Sequence, residues 1–226
     1  GRISNCDITV SNESLVFDGT EKKPAVTVTC NGNTLTQGQD YTLYYHANTN
    51  AGSATVTITG KGRFSGSVEK AFQIQPADLS RSSVDLSADS FTYDGTEKKP
   101  SVTVKTGNRQ LTANSDYTVS FVNNTNAGSA TVTVTGKGNY SGSVTKNFTI
   151  SAASLEKAEL ALSASSFTYD GTEKKPDVTV TVNKKQLKKG TDYTVSYDNN
   201  TNIGTASVTI TGKGNYSGTV TKSFQI

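Results

Sequence analysis

Apolar and polar residues alternate with a period of two over much of this chain. Ala54, Val56 and Ile58 alternate with Thr55, Thr57 and Thr59, and Ala130, Val132 and Val134 alternate with Thr131, Thr133 and Thr135. Such alternation predicts strands with one buried face. The same reading holds for Val26-Thr27-Val28, for Tyr117-Thr118-Val119-Ser120-Phe121, and for the run from Val144 through Phe148 to Ile150. Val84, Leu86, Phe91 and Tyr93 predict a first strand broken midway. Between these segments, stretches such as 123–128 and 136–142 are rich in Asn, Gly and Lys and carry turn chemistry. No stretch has a helical period, so the chain is expected to be all-β.

The pattern is written three times. The heptapeptide Asp-Gly-Thr-Glu-Lys-Lys-Pro occupies 18–24, 94–100 and 170–176, a constant step of 76 residues. The same step relates Asp40-Tyr41 to Asp116-Tyr117 and Asp192-Tyr193, and Gly60-Lys61-Gly62 to Gly136-Lys137-Gly138 and Gly212-Lys213-Gly214. We expect three modules: 1–75, the divergent one with both cysteines, 76–151 and 152–226. Each has enough alternating strands to close its own β-sandwich, so separate beads are expected rather than a continuous solenoid. The short joints lack Gly, which predicts a semi-rigid rod. With strands of about 8 residues at roughly 3.3 Å each, plus loops, three modules in line would reach on the order of 100 Å. The chain reads as a piece of something longer, cut at unit boundaries.

The strings YDGTEKKP, GTDYTVSY, NNTNAGSATVTVTGKGNYSGSV and a closing KxFxI resemble the tandem bacterial Ig-like repeats, akin to the MBG group, of large surface proteins of Clostridia-type Gram-positive bacteria. The resemblance covers all three units and implies Ig-like sandwiches in an extracellular, wall-associated setting, serving as stalk, spacer or adhesin segment. The first unit departs most, with Phe17 where the others have Tyr93 and Tyr169, and Arg63-Phe64 where they have Asn139-Tyr140 and Asn215-Tyr216.

Composition narrows the chemistry. The 226 residues carry a net charge of only +3, which gives no electrostatic case for nucleic acid. No apolar run is long enough for a membrane span and no leader opens the chain, so a signal and an anchor are expected outside this stretch. There is a single histidine, His46, which leaves little for a triad or a zinc site. The Gly136–Gly142 spacing is GxGxxxG with no helix to follow, so it reads as a turn rather than a phosphate loop. Asp94 and Glu97, with Asp18, Glu21, Asp170 and Glu173, fall short of a Ca²⁺ oxygen set beside two lysines; they read as turns whose lysines stay wet. No catalytic residue, metal or cofactor is expected.

Binding candidates remain. Alternation points Tyr41, Leu43 and Tyr45 inward and Thr42, Tyr44 and His46 outward. Tyr44 stands where the other units carry Ser120 and Ser196. Tyr44, His46, Arg63 and Phe64 are therefore the expected partner-binding residues of the first unit, toward a host protein such as an immunoglobulin or mucin. A glycan is a further alternative, although the chain has no Trp. Lys184, Lys185, Lys188 and Lys189 read as a solvated hairpin tip. Tyr41, Tyr45, Tyr93, Tyr117, Tyr169, Tyr193 and Tyr197 are expected in cores, with hydroxyls reaching the rim. Cys6 and Cys30 face one core and are expected to form a disulfide, a staple the other units do without. Lys70, Lys146 and Lys222 fall in inward phase, which raises an isopeptide bond as a candidate. The chain is expected to be a monomer.

Overall fold

The computed structural model describes residues 1–11 and 13–226, and its regular structure is strands apart from one short 3-10 turn, Ile3–Asn5. The first repeat builds two three-stranded antiparallel sheets. One contains Asp7–Val10, Val26–Cys30 and Asn33–Thr34; the other contains Tyr41–His46, Gly52–Gly60 and Ser67–Ile74. The third repeat does the same with Glu159–Leu162, Val178–Val182 and Lys185–Gln186, and with Tyr193–Asp198, Thr205–Gly212 and Thr219–Gln225. This is the Ig-like sandwich arrangement. The chain folds into two compact units, residues 1–85, 103–120 and 133–145 in one, and 86–102, 121–132 and 146–226 in the other. The whole first repeat lies in the first unit, the whole third repeat in the second, and the middle repeat contributes to both.

Alternation becomes packing in the central strand of each second sheet. Ala54, Val56 and Ile58 are fully buried, as are Ala206, Val208 and Ile210. The residues between them, threonines apart from Ser207, stay at the surface or half-covered, where the β-branched threonines favour the strand without exposing an apolar patch. In the third repeat Val208 and Ile210 pack with Val180, Leu187 and Tyr193. The inward tyrosines keep a polar tip at the rim. Tyr45 and Tyr197 donate to the carbonyls of Pro24 and Pro176 at 2.7 and 2.6 Å, and burial raises both phenols above their ordinary pKa.

The break in the first strand is a change of sheet. Ser83–Leu86 joins the sheet of Val102–Thr106, whereas Ser90–Thr92 runs parallel to residues 149–151 at the end of Ser143–Ser151. One expectation is corrected here: Tyr169 is not in a core but 50% exposed. For Lys70, Lys146 and Lys222 the inward phase holds, since Lys70 and Lys222 stand opposite the buried Val56 and Val208, yet all three residues are exposed. Lys70 and Lys222 lie midway along the edge strands of their sheets, where a long side chain can run out to solvent, and Lys222 Nζ reaches across to the Leu160 carbonyl of the facing sheet at 2.6 Å, an ordinary hydrogen bond.

Cys6 and Cys30 are joined by a disulfide with Cα atoms 4.6 Å apart. The equivalent pair in the second repeat, Ser82 and Thr106, shares a 2.8 Å hydroxyl hydrogen bond. In the third repeat the pair is Ala158 and Val182, which meet in the hydrophobic core.

Candidate functional site

The feature built most deliberately from the repeated strings is the joint between consecutive repeats. It occurs twice, once inside each compact unit, from equivalent residues.

The polypeptide passes from one repeat to the next with almost no slack. Gln75 N–H donates to the Leu15 carbonyl and Ala77 N–H donates to the Asn139 carbonyl at 2.7 and 2.9 Å, so only Pro76 lies between a ladder in the first repeat and one in the second. At the second joint Ser151 pairs with Thr92 and Ala153 pairs with Tyr216, leaving Ala152 alone between ladders. Just beyond, Leu79 and Leu155 are fully buried and donate their N–H groups to Ser141 and Ser217. A linker of one residue with both flanks hydrogen-bonded has little conformational freedom.

The turn that receives this strand carries the contacts. Asn139 Oδ1 accepts the Ala51 N–H at 2.8 Å, and its Nδ2 donates to Asn50 Oδ1 at 3.1 Å. Asn215 does the same to Ala127 and Asn126, at the same two distances. One side-chain amide thus satisfies a donor and an acceptor of the preceding repeat at once, its oxygen accepting and its nitrogen donating. The next residue supplies apolar contact. Tyr140 meets Phe17 edge to face with ring centroids 5.5 Å apart, and Tyr216 meets Tyr93 in the same way at 5.6 Å. A cation closes the cluster: Arg109 lies 5.6 Å from the Phe17 ring centroid and Lys185 lies 5.8 Å from that of Tyr93. The phenols of Tyr216 and Tyr93 hold the Lys185 ammonium above its ordinary pKa. Lys185 thus lies in an exposed hairpin strand and also borders the joint.

The glycines of the Gly-Lys-Gly string make this turn possible. A Cβ at Gly136 would stand 2.7 Å from the Tyr140 carbonyl carbon and the Ser141 nitrogen, and one at Gly212 would be equally close to Tyr216 and Ser217. Without a side chain at that position, the Asn-Tyr turn folds back onto its own strand.

The heptapeptide positions the opposite face. Asp94 Oδ1 accepts the Thr96 N–H at 2.8 Å and its hydroxyl at 2.6 Å, and Lys98 pairs with the other carboxylate oxygen at 2.6 Å. Lys98 N–H then donates to the Asn124 carbonyl, while Asn124 Nδ2 donates back to the Lys98 carbonyl. This reciprocal clamp fixes the loop that presents Asn126 and Ala127. It recurs as Asp18, Lys22 and Asn48, and as Asp170, Lys174 and Asn200. The expectation that both lysines stay wet is corrected: the side chains of Lys22, Lys98 and Lys174 are nearly covered, and only Lys23, Lys99 and Lys175 remain in solvent, pairing with Glu21, Glu97 and Glu173.

The lysine and threonine bonds hold Asp18, Asp94 and Asp170 far below the ordinary aspartate value of 3.8. A carboxylate whose pKa is depressed by folding adds stability above its unfolded pKa and loses it as pH falls toward the folded one. Denaturation midpoints should therefore be flat from pH 7 to about 5 and fall progressively below about pH 4. A chain carrying Asp94→Asn and Asp170→Asn should show a shallower fall, and an unchanged slope would contradict this origin.

Of the residues singled out as partner-binding, Tyr44 is 67% exposed and His46 is also exposed, both on the outer face of Tyr41–His46, an edge strand of its sheet. Arg63 and Phe64 lie elsewhere. They follow Gly60, which pairs with Tyr41, whereas His46 pairs with Thr55. At about 3.3 Å per residue, His46 is roughly 17 Å along the strand from that end. The four residues therefore form two groups. Arg63 and Phe64 occupy the places of Asn139 and Tyr140, but Arg63 has donors only and cannot accept a backbone N–H as Asn139 does; its guanidinium lies 3.8 Å from the Asp40 carboxylate. The equivalent of Arg109 in this repeat is Asn33, which carries no charge.

Sequence reasoning missed Asn48, Asn50, Asn139, Tyr140 and their equivalents as interacting residues. The available signal was their recurrence at the fixed step within strings that otherwise read as turn.

The model of the bacterial Ig-like domain (group 3) family matches residues 89–152. No curated protein matches the chain. Among solved structures, the protocadherin gamma B7 extracellular cadherin domains 1–4 are 10% identical, covering 99% of this chain and 77% of that one with a TM-score of 0.21. The protocadherin gamma B7 EC3-6 cis-dimer is 11% identical, with 98% and 77% covered and a TM-score of 0.24. The protocadherin gamma B4 extracellular domain is 14% identical, with 98% and 43% covered and a TM-score of 0.20. At such scores these likenesses carry no argument about this chain.

Proposed function

We propose that this chain is a spacer segment of an extracellular surface protein of a Gram-positive bacterium, holding other domains away from the cell as a stiff rod of three modules. Stability and reach, rather than catalysis, are its mechanism. The observation that supports this reading is the duplicated joint, in which a one-residue linker, an asparagine lock and an aromatic pair recur from equivalent residues. A protein needing only flexible tethers would not repeat such a device. The family match over residues 89–152 agrees with a bacterial surface setting.

Small-angle X-ray scattering tests the reading. The wild type should give a narrow distance distribution reaching on the order of 100 Å. The Asn139→Ala, Asn215→Ala double variant should broaden it at unchanged secondary structure. A wild type as broad as a Gly/Ser-linked control would sink the spacer reading.

A second reading is favoured by Tyr44, a large exposed aromatic on an edge strand that could seat an extended segment of a host protein. Immunoglobulins and mucins tested at physiological salt should then bind the wild type and lose affinity to Tyr44→Ser. Silence across the panel would remove this alternative.

A further inference from the structure

Each repeat has an outgoing face made of one aromatic and an Asn-Ala or Asn-Ile step. In the first repeat these are Phe17, Asn50 and Ala51, and in the second Tyr93, Asn126 and Ala127; both faces are filled by an Asn-Tyr turn. In the third repeat the equivalents are Tyr169, Asn202 and Ile203. Tyr169 is 50% exposed and Ile203 75%, against 6% for Phe17. The local sequence does not explain the contrast, because residues 167–176 repeat residues 91–100 letter for letter. Nor is the loop loose, since Lys174 N–H donates to the Asn200 carbonyl and Asn200 Nδ2 donates back, as in the occupied copies. The face is fully formed and uncovered.

We propose that Tyr169, Asn202 and Ile203 form a docking surface for a further repeat of the same kind on the same polypeptide. It would enter with an Asn-Tyr turn, and with a cation 30 residues before that Asn, the spacing from Arg109 to Asn139 and from Lys185 to Asn215. The chemistry of the surface selects this occupant. Its equivalents present a backbone N–H and a side-chain carbonyl that a single amide answers. The Ile203 N–H has no acceptor among the described residues, and isoleucine in place of alanine enlarges the apolar area to be covered. A second copy of the chain is a poor occupant: Asn139 and Asn215 are engaged inside their own chain, and the remaining turn offers Arg63, which has no acceptor. The inference rests on the joint geometry and is independent of the spacer reading.

The test extends the full chain by appending a copy of residues 151–226 after Ile226 and follows amide exchange by NMR. In the unextended chain the Ile203 N–H should exchange at least tenfold faster than those of Ala51 and Ala127. In the extended chain it should slow to their level, while the same extension with its Asn215 equivalent changed to Ala should leave it fast. An appended repeat that folds, judged by its own dispersed amide signals, while Ile203 stays unprotected would overturn the proposal. So would protection of Ile203 that appears in the unextended chain as its concentration is raised, since the occupant would then be a second copy.

Discussion

Removing the Cys6–Cys30 bridge should lower the stability of the first compact unit by about 3 kcal/mol, the chain-entropy expectation for a closed loop of this size. The cysteines are 24 residues apart in sequence and tie the end of the 3-10 turn Ile3–Asn5 to the end of Val26–Cys30. The repeats themselves supply the control. The equivalent position is held by a hydroxyl pair, Ser82 and Thr106, in the second repeat and by Ala158 and Val182 in the third. The fold therefore accommodates the site without a covalent link, and Cys6→Ser with Cys30→Thr should fold. That variant should recover only about 1 kcal/mol of the loss, the net worth of one hydrogen bond. Guanidinium unfolding with and without reductant measures the shift. The effect should be confined to the first unit, leaving signals from residues 146–226 unmoved. A shift below about 0.5 kcal/mol, within the usual range for a neutral surface change, would show that the bridge constrains nothing the strands do not already hold.

Tyr216→Ala should cost about 3 to 5 kcal/mol, the range for truncating a large buried aromatic. Tyr216 is 6% exposed and packs with Leu155, Val180 and Tyr193, so its loss leaves a cavity in the third repeat. The same ring also closes the second joint by meeting Tyr93 edge to face, with Lys185 beside that partner. The variant should thus both destabilise the third repeat and free the Tyr93 ring. Tyr216→Phe keeps the ring and should retain most of the stability. Tyr44→Ala, on an exposed strand face, serves as the surface control and should stay within about 0.5 kcal/mol of wild type. Denaturant unfolding followed by tyrosine fluorescence reports both effects. If Tyr216→Ala lost no more than Tyr44→Ala, the joint would not be the packed element described above.

The all-β architecture was legible because a strand announces itself locally. Two-residue alternation in 54–59 names both the element and its buried face, and the structure buries Ala54, Val56 and Ile58 completely. The three-fold repeat and the facing phases of Cys6 and Cys30 were likewise plain in the string of residues. Tyr44 and His46 were readable as outward by the same parity.

The joint was not legible. Asn50 and Asn139 are 89 residues apart and both sit in polar, glycine-rich strings that read as turn, so no local pattern distinguishes a solvated asparagine from one whose amide joins two repeats. The buried lysines of the heptapeptide were hidden for a similar reason, since Lys98 and Lys99 look alike in sequence and only the folded loop, whose main chain at Lys98 is clamped by Asn124, decides which side chain is covered. Tyr93 and Tyr169 mark the limit most clearly. Their surrounding decapeptides are identical, yet one ring is packed against Tyr216 and the other stands half in solvent. By itself the sequence determined which residues form strands and which face of each strand is apolar, because those follow from backbone geometry over a few residues. Which apolar groups are actually buried was decided by the tertiary structure, because burial depends on a neighbour that the local chain does not contain.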